Sequence, residues 1–221
     1  MADRRALCLT SGDLAEIDTA DRLILPGDPT ADLHAVPKQY IDRRFSHGLD
    51  TGEEVYSRAD LASSAVPVVS QSMRLVYFTA KKSFTTTQVR VLGGTTAAAA
   101  TPTLIENGLF EINAAGDGTR VAVTGNDTSL FSVASTTHTR LWLASSYNMI
   151  IGQRYALSWL VVSTVALPTF VGLILAAAAV TEFSLPPRIT GAVSSQAATP
   201  TSFTAASVVA ITNRPYGVIL P

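Results

Sequence analysis

Arg154-Tyr-Ala-Leu-Ser-Trp-Leu-Val-Val-Ser163, then Thr169-Phe-Val-Gly-Leu-Ile-Leu-Ala-Ala177, make up most of a run from Tyr155 to Thr181 that carries no charge over 27 residues. Its length would let a single helix cross a bilayer. Pro168 in its middle, the polar Ser158, Ser163, Thr164 and Thr169, and the β-branched residues of its first half oppose that helix. No cluster of Lys and Arg marks a cytoplasmic flank. The run therefore predicts two buried strands, Arg154–Ser163 and Thr169–Ala177, with a turn at Val165–Pro168 and no membrane insertion.

The same grammar extends outward from that run. Leu75–Ala80, Thr86–Leu92, Thr103–Asn113, Thr119–Val123, Thr139–Ala144 and Tyr216–Leu220 are rich in Val, Ile, Thr, Leu, Phe and Tyr and are bounded by Gly, Pro, Asn and Asp. Ala115-Gly116-Asp117-Gly118 reads as a hairpin turn, since Gly and Asp accept the positive φ that tight hairpins need. Gly125-Asn126-Asp127 marks another turn. Ala-Thr-Pro-Thr at 100–103 and 198–201, with Leu-Pro-Thr at 167–169, suggests a recurring unit of loop, proline and strand. Eight short strands with no helical period predict a mainly β body, a jelly-roll-like β-sandwich over residues 70–221.

The front of the chain differs. Residues 1–60 hold seven Lys/Arg against twelve Asp/Glu, and the remaining 161 residues hold nine against five. A body so poor in charge must be mostly buried or covered by partners. There is no basic tract and the net charge is −1, so nucleic-acid binding has no electrostatic footprint. Cys8 is alone, which excludes a disulfide framework within one chain, and Met-Ala-Asp-Arg-Arg has no apolar stretch behind it to make a secretory signal. Residues 1–46 read as an extended arm with one short helix near 37–45. Residues 47–69, with scattered charge and low hydrophobicity, read as a linker. Pro37 suits a first helical position, and Tyr40, Ile41 and Phe45 share one side of the helix that follows. A helix this short is marginal alone and needs a surface to lean on.

Asp28-Pro-Thr-Ala-Asp-Leu-His-Ala-Val-Pro-Lys-Gln-Tyr-Ile-Asp42 resembles a signature of tailed-bacteriophage structural proteins, chiefly tail fibres and minor tail proteins, in which Asp-Pro is followed by His-Ala, Lys and Tyr-(Val/Ile)-Asp. Asp28, Pro29, Leu33, His34, Ala35, Lys38, Gln39, Tyr40, Ile41 and Asp42 match. Pro37 departs from it, standing where the family usually carries Thr. The motif covers about 15 of the 221 residues, and the region after Ser70 is similar in style to the C-terminal β-domain of actinobacteriophage minor tail proteins. The resemblance implies a virion structural protein, assembled in the host cytoplasm into a homotrimer and placed on the tail or particle surface beside other tail or capsid proteins. Asp28, Pro29, Leu33, His34, Lys38, Tyr40, Ile41, Asp42 and Phe45 would then be its assembly and docking residues. Two alternatives share these parts: a capsid decoration or head-fibre protein, and a module that binds host cell-wall glycan.

Catalytic chemistry is sparse. No nucleophile elbow, phosphate-binding loop, dinucleotide fingerprint or zincin motif occurs, so neither enzyme activity nor a cofactor is expected. His34, His47 and His138 lack ligand spacing, and His138 is expected in an exposed turn. The β region has few carboxylates, and Glu106 and Glu111, five apart on one strand, should point to opposite faces. Trp159 and Tyr155 are expected in the core. Trp142 and Tyr147 are the candidate platform for a host-surface glycan, with Trp142 turned outward or toward a neighbouring subunit and Tyr147 in a loop.

Overall fold

Strand β12 (Arg154–Val162) is the centre of the body, and seven of its nine residues are buried. It pairs antiparallel with β5 (Met73–Thr79) on one side and β8 (Leu104–Ile112) on the other. β14 (Thr190–Val193) extends the sheet beyond β5, while β9 (Gly118–Val123) and β15 (Ser202–Phe203) extend it beyond β8, making six strands. The computed structural model describes residues 6–10, 13–17, 52–98, 102–144, 146–164, 167–174 and 188–221. The chain divides into two units, Met1–Asp50 and Thr51–Pro221.

The uncharged run of β12 has a direct cause: both faces of its sheet are covered. Ala156 and Leu160 point to one face with Leu75, Tyr77, Phe110 and Ile112, in one buried cluster with Val193 of β14, Phe203 of β15 and Val208. Tyr155, Leu157, Trp159 and Val161 point to the opposite face. A second layer meets that face. A Cβ on Gly217 would lie 2.6 Å from Leu157 Cδ2 and 3.0 Å from Trp159 Cζ2, so the backbone there rests directly on those side chains. Burying large side chains of this kind is worth about 1.5–3 kcal/mol each, enough to place the main core between the layers.

The second layer holds a four-stranded sheet, β10 (Thr137–Leu141), β7 (Gln88–Leu92), β17 (Gly217–Leu220) and β3 (Glu53–Glu54), in that order. It also holds a three-stranded sheet, β16 (Asn213–Pro215), β13 (Thr169–Ile174) and β4 (Ser63–Pro67). A Gly93–Phe170 bridge joins the two, and only Tyr216 separates β16 from β17. A short pair, β6 (Phe84–Thr86) with β11 (Tyr147–Met149), lies apart from both sheets. At another corner a Thr124–Trp142 bridge and a bond from Leu143 N–H to Val123 C=O tie the end of β10 to the end of β9. The second layer thus curls back onto the first. This is the expected mainly β sandwich.

The predicted hairpin at 115–118 joins β8 to β9, with Gly116 at φ +89°. The proline units also recur: Pro102, Pro168 and Pro200 stand one or two residues ahead of β8, β13 and β15. The linker expected over 47–69 is corrected from Gly52 onward. β3 pairs with β17 and β4 with β13, so that stretch belongs to the body. Its polar composition misleads because a short edge strand needs only ladder bonds and one or two anchors, here Val55 and Val66, both buried.

In the first unit, β1 (Ala6–Thr10) pairs antiparallel with β2 (Asp13–Ile17). The short helix expected near 37–45 lies outside the described residues. Among the described residues no helix is long and apolar enough to cross a membrane.

Candidate functional surfaces

The nine docking residues from Asp28 to Phe45 lie outside the described residues. The two aromatic candidates are described, and neither offers an open ring face. Trp142, expected to turn outward, is only 4% exposed, and its Nε1–H donates to Thr86 Oγ1 at 3.0 Å. Tyr147 belongs to β11 rather than to a loop and is half-buried. Its hydroxyl donates to Glu111 Oε2 at 2.8 Å, and its ring stands edge-on to Tyr155, with centroids 6.1 Å apart. Burial, together with the hydrogen bonds to Tyr155 and Glu111, pushes the Tyr147 hydroxyl far above its ordinary range. Trp159 and Tyr155 are core residues, as expected.

The face that Trp142 vacates is taken by its neighbours. Leu141 and Leu143 are 69% and 70% exposed, on the outer side of β10 with Thr137 and Thr139. Gly93 N–H donates to Thr136 C=O and Trp142 N–H to Thr87 C=O, so the ladder to β7 passes through alternate residues. Thr137, Thr139 and Leu141 therefore turn their backbone groups away from the sheet. β10 is an edge strand with two leucines in water and no lysine or proline to blunt it.

The inner side of β10 carries His138 and Arg140. His138, expected in an exposed turn, is a strand residue instead, half-buried and edge-on to Phe131 at 5.0 Å. Burial and the nearby Arg140 hold its imidazole below the ordinary histidine range. Arg140 Nε donates to Asp127 Oδ2 at 2.6 Å. Burial works to raise the Asp127 carboxyl, but bonds from Ser129 and Arg140 outweigh it and hold it below the usual range.

Other carboxylates serve the fold. Glu106 Oε2 accepts Thr199 N–H at 2.9 Å while Glu111 binds Tyr147, so the two point to opposite faces as their spacing required. Glu53, 4% exposed, accepts Lys81 N–H at 3.1 Å. Desolvation pushes its carboxyl above the ordinary value despite that bond. Among the described residues no three His, Cys, Asp or Glu side chains are grouped as metal ligands would be.

One concavity was not anticipated. Between the β8–β9 turn and the loop 194–207 lies an open groove of about 560 Å³. Asn113, Asp117, Thr119, Gln196, Ser202 and Thr204 line it; Thr119 and Ser202 are ladder partners on neighbouring strands, and the Phe203 ring is buried beneath. Its signal in the sequence was faint, because serine and threonine occur throughout the body and these residues are 91 positions apart at their extremes. The chain has no match among protein-family models and none among curated proteins.

Proposed function

We propose that this chain is a structural protein of a tailed-phage virion, a minor tail or tail-fibre component that works by assembly rather than catalysis. The observation that carries this is the Asp28–Asp42 motif, ten of whose positions match the phage signature. The body supports it from another direction. A charge-poor sandwich with an edge strand beside which Leu141 and Leu143 stand in water is a surface that a subunit contact would cover. In this reading the front segment gains its order from sister chains or neighbouring virion proteins. Three copies would bring Tyr40, Ile41 and Phe45 together, and burial at about 1.5–3 kcal/mol per large side chain could offset the ordering cost.

The test is the mass of the full chain in solution, set beside a version lacking residues 1–45. A trimer that falls to a monomer on truncation is the expected result. An unchanged oligomeric state would remove the assembly role of the motif. Labelling the chain on intact particles distinguishes a tail position from a capsid one.

A further inference from the structure

The loop between β9 and β10 is closed by a buried ring held under backbone strain. Leu130 and Phe131 are each 1% exposed, although Ser132 and Val133 beside them face water. Phe131 keeps φ at +65° and Ser135 at +53°, in the left-handed region that residues with a Cβ adopt at a cost. The Phe131 ring stands edge-on to Phe170 of β13 at 4.8 Å and to His138 of β10 at 5.0 Å. Backbone bonds hold this plug in place. Leu130 N–H donates to Asp127 C=O at 3.1 Å, Ala98 N–H to Phe131 C=O at 2.9 Å and Ser135 N–H to Gly94 C=O at 2.7 Å.

His138 is the titratable group against this plug. Its Nε2 is out of water and has no hydrogen-bond partner. That atom lies 3.7 Å from the point where a Cβ on Gly93 would stand, and Phe131 Cδ1 lies 3.3 Å from the same point. A neutral imidazole can leave Nε2 as a bare lone pair by carrying its proton on Nδ1. An imidazolium cannot, because both of its ring nitrogens are donors that need acceptors. Among the described residues, the charges set against the ring are those of Arg140, two residues along the same side of β10, and Asp127. Asp127 is already held by Arg140 at 2.6 Å. Val91 opposite on β7, Phe131 in the loop and Phe170 behind that ring bring no charge.

We propose that His138 and the Leu130–Phe131 plug form a pH-sensitive latch, which mild acid loosens so that the two buried side chains reach the surface. Closed, the latch seals Nε2 and favours the neutral ring. Open, it gives His138 the ordinary histidine value of about 6.5 and releases the strain at Phe131. The sign follows by linkage. The closed form has its full advantage above that value and loses it as pH falls, with the opening equilibrium rising by up to about tenfold per pH unit until the closed ring also titrates. Asp127, held below the usual carboxylate range, keeps its charge through this window. The latch lies within the body and stands whether or not the chain assembles through its front segment.

The test digests the full 221-residue chain with chymotrypsin and follows, by mass spectrometry, the fragments that begin at Phe131 or Ser132. Each rate is divided by that of a short peptide of the same loop sequence, which removes the protease's own pH dependence. Cleavage then tracks the population of the open loop. In the parent the ratio should rise at least about threefold from about pH 7.5 to about pH 5, and in His138→Gln and His138→Phe it should stay flat. Melting temperatures show whether each variant folds. A flat parent ratio would overturn the proposal, as would an equal rise in a folded variant. If neither variant folds, hydrogen-exchange protection in the parent decides: that of Ala98 and Ser135 should fall with pH while that of Leu157 in β12 holds. Unchanged protection at the loop, or a loss that includes Leu157, would also overturn it.

Discussion

Glu53 shows how burial sets the behaviour of a single group. Its carboxyl sits almost out of water with one backbone donor, and desolvation raises its pKa above the unfolded value. A raised carboxyl binds its proton more tightly in the folded state, so the ionised form costs stability as pH rises through the folded pKa. Glu53→Gln should therefore raise the melting temperature at pH 7–8 relative to the parent. The gap should close as pH falls below the ordinary glutamate value of about 4.3, which thermal melts across that window would measure. Trp142 is the opposite case, a large ring that packs and is also satisfied. Trp142→Ala should cost about 3–5 kcal/mol in denaturant titrations, and Trp142→Phe less, since the phenyl ring keeps most of the buried area. A loss below about 0.5 kcal/mol for the alanine variant would contradict its place in the core.

β10 illustrates why alternation in a strand does not say which side is wet. Thr139, Leu141 and Leu143 alternate with Arg140, Trp142 and Ala144, and hydrophobicity alone puts the leucines inside. The corner that β10 shares with β9 and β6 reverses this, because only the tryptophan ring reaches Thr86 across the gap. The leucines are then left outside. If their edge joins copies of the chain, replacing both with serine should weaken self-association in sedimentation experiments while changing monomer stability by no more than about 0.5 kcal/mol. Loss of folding in that double variant would show instead that the leucines pack within the body.

For the chain as a whole, the division falls after Asp50. The body closes its own core, since every strand of the six-stranded sheet has partners and both faces of β12 are covered. Deleting residues 1–50 should leave the body's cooperative unfolding intact, within about 1 kcal/mol of the full chain by denaturant titration, if the front contributes to assembly and not to this core. A truncated chain with no cooperative transition would show that the body depends on the front segment.

Much of the body was readable from composition and periodicity. An uncharged, β-branched run broken by proline reads as two strands; β12 is buried on both faces as expected, while β13 buries only Phe170 and Gly172 and leaves Ile174 exposed, because its second face is not covered. Gly116 with Asp117 announces its own turn, a constraint of local sterics. The inward turn of Trp142, the docking of 52–67 onto the sheets and the groove beside Phe203 had no such local signature. Each depends on which distant strand lies opposite, and that pairing is settled by the closure of one layer onto the other.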